Sequence, residues 1–224
     1  MTRLIAAAVI SIVGALPLAA QSPVPVENEP RHHLKFENQY VRVFDVVVLP
    51  GDTTLFHTHS NDYVFVTLGD ADLITEVMGG QPADLLLKNG EVRFSKAPIT
   101  HRVSNPSNVS RFRNITIEIL KSPGRAAASK LDSSPGLSRV LDNERVHVER
   151  LVLEPGQSTS LHTHGLSALS VFLTEAKVMV ESPGQKAQTI EYKPGDFRWR
   201  DAPVTHSIKN IGSTRFEAVG IDWK

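Results

Sequence analysis

A repeat with a period of 105 residues constrains the fold of this chain more than any other feature. Residues 37–51, ENQYVRVFDVVVLPG, return at 142–156 as DNERVHVERLVLEPG, with the same Pro-Gly pair at the end. The two copies stay in one register as far as Asn105 and Asn210, and the register slips by one residue beyond them. Solenoid repeats span about 20–50 residues, so this longer period indicates a duplicated domain.

The segments between the turn residues are typical of strands in both copies. VRVFDVVVL, VHVERLVL and YVFVTL are short, rich in β-branched and aromatic residues, and bounded by Gly, Pro, Asn or Asp. No segment beyond residue 20 keeps a helical period. Regularly spaced short strands predict an all-β fold, and the size of each copy favours two tandem small antiparallel β-barrels.

The repeat divides the chain into predicted domains and connecting segments. The first barrel is expected at 36–121 and the second at 138–224. Residues 21–35 contain three prolines and predict an extended N-terminal arm, and residues 122–137, rich in Ser, Pro, Gly and Ala, predict a linker.

Residues 1–20 resemble a secretory signal peptide. Arg3 gives a positive start, residues 4–13 form a mostly apolar run, and Ala19 and Ala20 precede a possible cut. The run is short for a membrane span, so we expect an exported protein, periplasmic or secreted, with no stable membrane insertion after cleavage. An uncleaved membrane anchor or a buried helix is the alternative.

Charge and composition limit the possible partners and chemistry. The chain has 24 basic and 24 acidic residues, so nothing in its net charge points to nucleic acid or an anionic membrane. It contains no cysteine, which removes disulfides, thiolate metal sites and cysteine nucleophiles. A small molecule is therefore the expected partner, and the oligomeric state is not indicated.

Six of the nine histidines occupy matching positions in the two copies. His-Thr-His occurs at 57–59 and at 162–164, and because residues i and i+2 of a strand share a face, each pair projects side by side. A third histidine follows in each copy, and if its strand runs beside the first, three neutral imidazoles converge. Such a triangle suits Fe, Zn, Cu or Ni and leaves coordination positions open. We predict one divalent transition metal per barrel, held by His57, His59 and His101 in the first and by His162, His164 and His206 in the second.

A single His-x-His on a strand is usually only part of a polar face, but identical spacing in both copies favours metal binding. The other three histidines have no such support. His32 and His33 lie in the predicted arm, where we expect them to be solvated. His147 faces an arginine in the repeat and is expected on the outer surface.

These residues also carry a family resemblance. Gly51, His57 and His59 form the pattern G-x5-H-x-H. A later pattern, G-x7-P-x-x-H-x-x-x-N, ends with His101 and Asn105, and both patterns recur in the second copy. These two patterns resemble the two cupin motifs. The resemblance implies a bicupin, with two barrels of the double-stranded β-helix or jelly-roll type and a metal inside each.

The sequence departs from the cupin pattern at one ligand. The family has a glutamate four or five residues after the second histidine, whereas this chain has Tyr63 and Val64 in one copy and Ala168 and Leu169 in the other. What remains resembles the three-histidine iron sites of some cupin dioxygenases. Three neutral ligands leave an M(II) ion its full charge, which favours an anionic, chelating substrate.

The sequence therefore predicts a metal-dependent oxygenase of the dioxygenase type, acting on a small oxygenated or acidic molecule. A non-catalytic protein that holds a small ligand or metal, and a zinc-type isomerase or hydrolase, are the alternatives. Asp62 and Tyr63 are candidate acid–base groups or weak ligands, and Arg93 and Arg198 are candidate clamps for a substrate carboxylate. The alternatives are a turn-capping Asp, a packed Tyr and outer-face arginines in salt bridges.

Overall fold

The computed structural model describes residues 22–123 and 134–224. The predicted signal segment and most of the predicted linker lie outside these residues. The described part consists mainly of strands, with one 3₁₀ turn at Val26–Asn28. No helix in this part is long and apolar enough to cross a membrane.

Nineteen strands are distributed over the two copies of the repeat. The first ten are β1 (Val24–Pro25), β2 (His32–Glu37), β3 (Val41–Val48), β4 (His57–His59), β5 (Tyr63–Thr67), β6 (Ala71–Val77), β7 (Ala83–Leu87), β8 (Val92–Ser95), β9 (Ile99–Ser104) and β10 (Phe112–Ile119). The others are β11 (Leu137–Asp142), β12 (Val146–Leu153), β13 (His162–His164), β14 (Ala168–Phe172), β15 (Ala176–Glu181), β16 (Gln188–Tyr192), β17 (Phe197–Arg200), β18 (Val204–Asn210) and β19 (Phe216–Trp223).

Each copy folds into two sheets. Barrel 1 has the strand orders β1-β4-β9-β6-β7 and β2-β3-β10-β5-β8, and barrel 2 has β11-β12-β19-β14-β17 and β13-β18-β15-β16. The strands pair antiparallel, except that the short β1 runs parallel to β4. The predicted all-β fold of two tandem antiparallel jelly-roll barrels is confirmed.

The structural repeat begins earlier than the sequence comparison indicated. β2 pairs with β3 through a bulge at Leu34/Phe36, and β11 pairs with β12 through a bulge at Arg139/Leu141. These bulges are 105 residues apart, as the repeat requires. β1 lies within the predicted arm and β2 starts at His32, so six residues of that arm belong to the sheets of barrel 1.

One hydrophobic core joins the two barrels, and each barrel also has a core of its own. On β3, Val41 and Val43 point into the shared core, whereas Phe44 points into barrel 1. Val146 and Val148 of β12 enter the shared core from the other side. The five-stranded sheets containing β3 and β12 therefore pack against each other, because alternate residues of a strand face opposite ways.

Two arginine–carboxylate pairs lie beside this contact. Nε of Arg113 donates to Asp45 at 2.8 Å, and the same guanidinium donates to the carbonyl of Pro194 in barrel 2 at 3.1 Å. At the matching positions of barrel 2, Arg150 pairs with Glu217. The acidic and basic partners have thus exchanged strands between the two copies.

Candidate metal centres

Strand register brings the predicted histidine triplets together in both barrels. His57 lies directly opposite His101 across β4 and β9, and His162 lies opposite His206 across β13 and β18. The intervening threonines face the other way, as alternation requires; the hydroxyl of Thr58, for example, bonds that of Thr100 at 2.8 Å.

The three histidines of barrel 2 converge through their Nε2 atoms. Nε2 of His164 lies 3.0 Å from Nε2 of His162 and 3.2 Å from Nε2 of His206. Nδ1 of His162 donates to the carbonyl of Ser160 at 2.9 Å, which leaves its Nε2 as the lone-pair nitrogen. The three ligand atoms lie within 4.8 Å of one another, so this donor set fits a divalent transition metal.

The histidines of barrel 1 are more deeply buried. His57 and His59 are each 1 % exposed. Nδ1 of His57 donates to the carbonyl of Leu55 at 2.9 Å, and Nδ1 of His59 lies 3.2 Å from Oε1 of Glu118. Nε2 of His57 and Nε2 of His101 are buried without a hydrogen-bond partner. Buried polar atoms seldom stay unpaired, so a coordinated metal fits these two nitrogens.

A fourth histidine enters the barrel-1 cluster, and here the sequence-based expectation was wrong. His32 is 9 % exposed rather than solvated, and its ring centroid lies 4.5 Å from that of His57 and 5.9 Å from that of His59. These three residues offer ligand atoms within 4.8 Å of one another. His101 is outside that set of three, although its ring centroid lies 4.6 Å from that of His57. His33, by contrast, is exposed.

Burial keeps four of the clustered imidazoles, those of His57, His59, His101 and His164, neutral at neutral pH. It lowers the pKa of His57 to about 3 and the pKa of His101 to about 4, with neighbouring histidines adding to the effect. Burial also lowers the pKa of His59 and of His164. Neutral imidazoles present the lone pairs that transition metals bind.

Tyr63 and Asp62 occupy different environments. Tyr63 stacks on His59 with 4.0 Å between ring centroids, and burial raises the pKa of its hydroxyl. Asp62 accepts the backbone N–H of Ala97 at 2.9 Å and lies 3.3 Å from Nε of Arg145 in barrel 2. Tyr63 therefore touches the cluster, whereas Asp62 fixes a turn and bridges the barrels.

The two predicted arginines also differ in position. Arg93 is exposed and donates to Glu91 at 2.7 Å and to the carbonyl of Leu86 at 3.1 Å, so it does not reach the barrel-1 histidines. Arg198 lines a cavity in barrel 2. The sequence reasoning missed Arg200, which lies on the same face of β17 two residues later, although the period of two was the available signal.

The barrel-2 cavity has a volume of about 720 Å³ and contains the three histidines in its wall. Arg200 donates to Asp222 at 3.2 Å from Nη2, and its Nε is buried without a hydrogen-bond partner. The cavity exists where the copies differ. Ala168 pairs with Arg200 in barrel 2, whereas Tyr63 pairs with Ser95 at the matching place in barrel 1.

A buried acid faces each centre from the last strand of its barrel. Burial raises the pKa of Glu118 to about 7 and the pKa of Asp222 to about 6. His147 lies near Asp222, with its Nε2 3.1 Å from Glu149, and not on the outer surface as expected. The prediction was wrong because β12 turns this position toward the barrel interior.

The whole-chain comparisons with solved structures support the fold. The chain superposes on AerE from Microcystis aeruginosa with a TM-score of 0.67 at 15 % identity, over 90 % of this chain and 98 % of that one. It superposes on salicylate 1,2-dioxygenase from Pseudaminobacter salicylatoxidans with a TM-score of 0.62 at 14 % identity, over 89 % of this chain and 78 % of the dioxygenase. It superposes on the oxalate decarboxylase of Bacillus subtilis, a protein with Mn(II) centres, with a TM-score of 0.58 at 12 % identity. That superposition covers 92 % of this chain and 79 % of the decarboxylase.

No protein-family model and no curated protein sequence matches the chain. The structural neighbours and the duplicated histidine motifs nevertheless agree on one architecture. The chain has the fold of a bicupin, with two tandem barrels of the cupin type.

Proposed function

We propose that this bicupin is an exported, metal-dependent oxygenase whose second barrel binds a small acidic, oxygenated molecule. The cavity of barrel 2 carries the proposal, because it joins three convergent imidazoles to a buried arginine. Pockets of about 300–1,000 Å³ with a few convergent polar groups are typical of small-molecule sites.

His162, His164 and His206 would hold the divalent metal, which supplies Lewis-acid and redox chemistry to a bound substrate. The residues around them bind and orient that substrate. Arg200 lines the cavity close enough to the histidines for its charge to lower the pKa of His164, and a substrate carboxylate is a natural partner for its guanidinium. Arg198 adds positive charge to the same wall.

Aromatic side chains form an apolar wall opposite these charges. Phe172 and Tyr192 stack with 3.4 Å between ring centroids, and Phe216 lies beside both. All three line the cavity. They would pack against an unsaturated or aromatic substrate and exclude water from its reacting face.

Barrel 1 is less suited to admit a substrate. Its His57 and His59 are fully buried, and Tyr63 covers His59. The corresponding residue of barrel 2 is Ala168, which leaves its histidines half-buried and in contact with the cavity.

Oxygen uptake tests the proposal. Iron-loaded protein is mixed with a panel of small diketones, catechols, flavonols and hydroxybenzoates in an oxygen electrode. We expect uptake with at least one compound, loss of uptake in His162→Ala, and retention of uptake in His57→Ala.

Two results would contradict the proposal. Ligand binding without oxygen uptake across the panel would indicate a binding protein or a non-oxidative enzyme. Uptake lost in His57→Ala but kept in His162→Ala would move the reaction to barrel 1.

A further inference from the structure

We propose that His32 is a metal ligand of barrel 1, held in place by Glu29, so that barrel 1 carries a closed site and barrel 2 an open one. The inference rests on the metal binding proposed for the barrel-1 histidines, and it adds a ligand that lies outside both cupin motifs.

The segment before β2 is held against the barrel end that carries the histidines. The N–H of Val24 donates to the carbonyl of Phe56 at 2.9 Å, beside the first histidine of β4. Val26 is buried in the core of barrel 1. Arg31 forms two hydrogen bonds with Asp52, at 2.9 Å and 2.6 Å. The position of His32 is therefore fixed before any metal is considered.

Glu29 orients the His32 ring. This carboxylate is 1 % exposed and accepts the backbone N–H groups of Arg31 at 2.8 Å and Leu55 at 3.1 Å. It also accepts Nδ1–H of His32 at 2.7 Å. A carboxylate that takes one ring N–H leaves the other nitrogen as a ligand, which is the usual outer-shell arrangement of metal-bound histidine.

The ring spacings of His32, His57 and His59 fit one shared ion, and His101 lies at similar distances from two of them. An imidazole bound at about 2.1 Å has its ring centre about 3.2 Å from the ion, so neighbouring rings at ordinary angles lie about 4.5–6 Å apart. The His32 ring lies 4.5 Å from His57 and 5.9 Å from His59. The His57 and His59 rings are 5.2 Å apart, and the His101 ring is 4.6 Å and 5.4 Å from them.

The repeat supplies an internal control, because barrel 2 lacks this histidine. His32 lies opposite Val46 on β3, and Leu137 lies opposite Leu151 at the matching register. Leu137 lines the barrel-2 cavity and offers no donor atom. The described residues thus give four clustered imidazoles to barrel 1 and three to barrel 2.

The competing explanation is that His32 and Glu29 form a buried pair that only fastens the N-terminal segment. The two explanations differ in metal affinity and in the number of bound imidazoles. Both can be measured on the full chain with barrel 2 disabled by His162→Ala and His206→Ala.

In this background, Zn²⁺ affinity is measured by chelator competition. We expect His32→Leu, which installs the residue of barrel 2, to weaken binding at least about 100-fold, and Glu29→Gln to weaken it about 10-fold. The exposed neighbour is the control: His33→Ala should leave the affinity unchanged.

A second measurement needs no substitution at His32. Co²⁺ bound in barrel 1 should show four hyperfine-shifted, exchangeable imidazole N–H signals, against three for Co²⁺ bound in barrel 2 of a His57→Ala/His101→Ala chain. Three signals from barrel 1 that are assigned to His57, His59 and His101, or unchanged Zn²⁺ affinity in a folded His32→Leu variant, would overturn the role of His32. Unchanged barrel-1 metal binding in His57→Ala/His101→Ala would instead overturn the proposed site itself.

Discussion

At the residue scale, the two copies carry different side chains at two paired positions on β5/β8 and β14/β17. Tyr63 and Ser95 of barrel 1 become Ala168 and Arg200 of barrel 2. The first change removes a ring that stacks on a histidine, and the second brings a cation to the space it leaves. The same strands and the same histidine pattern thus have different side chains around them in the two barrels.

Arg200→Gln should weaken the binding of a small aromatic carboxylate by about 10- to 100-fold, because a charge-assisted hydrogen bond contributes about 1.5–3 kcal/mol. The corresponding neutral amide should bind equally well to both proteins. Isothermal titration gives both values, with Arg93→Gln as an exposed control. Equal loss for acid and amide would show that Arg200 shapes the cavity without recognising charge.

Ala168→Tyr should close the barrel-2 cavity while the metal content stays the same, because the matching position of barrel 1 already accommodates tyrosine beside a histidine. We expect at least about a tenfold loss of ligand affinity. Metal analysis and titration on the same preparation separate the two effects. Full ligand affinity in the variant would place the binding site elsewhere.

At the element scale, the sequence predicted which histidines of β4 and β9 meet, because the same histidine spacing recurs in both copies. The period of two brought His57 and His59 to one face, and duplication identified His101 as the third member. His32 could not be found this way. Its role depends on where β2 begins relative to the histidines of β4, and its repeat counterpart is Leu137, so neither the period of two nor the duplication marks it.

A turn of barrel 1 also packs against barrel 2. Gly90 has φ of +73°, and a Cβ there would lie 2.6 Å from Cδ1 of Leu173 and 2.7 Å from Nη2 of Arg150. Gly184 has the same φ of +73° with open space around it. The two glycines therefore share a left-handed backbone conformation and differ in contact with the other barrel.

Gly90→Ala should destabilise the protein by about 1 kcal/mol or more beyond Gly184→Ala, since overpacking adds to the shared backbone cost. Urea unfolding of the two variants measures the difference. Equal midpoints would mean that Leu173 and Arg150 move aside without cost.

At the scale of the whole molecule, the shared core makes the barrels one packed unit, while the two histidine clusters remain separate. Buried residues of β3, β5 and β10 meet those of β12, β14 and β19. Each cluster lies in its own barrel, formed by that barrel's β4/β9 or β13/β18 pair. Loss of one metal should therefore leave the other site intact.

The metal-free protein should lose stability as pH falls from about 6.5 toward 4. The unfolded chain protonates histidine near pH 6.5, whereas burial lowers the pKa of His57 to about 3 and that of His101 to about 4. Unfolding then takes up protons, at up to about 1.4 kcal/mol per pH unit for each histidine. Glu118 and Asp222, whose pKa values burial raises to about 7 and about 6, oppose this trend, but they are two groups against the four histidines whose pKa burial lowers.

Urea midpoints at pH 7, 6 and 5 measure this slope. His101→Gln should make it shallower, and His33→Ala should not change it. A midpoint that rises toward pH 5 would contradict the buried, neutral state of the histidines.

The central claim is that each barrel holds its own metal through its own histidines, and metal content per chain tests it most directly. Elemental analysis should give about two ions in the unaltered protein and about one in either His57→Ala/His101→Ala or His162→Ala/His206→Ala, if each cluster is an independent site. Two ions retained in either variant would contradict the account.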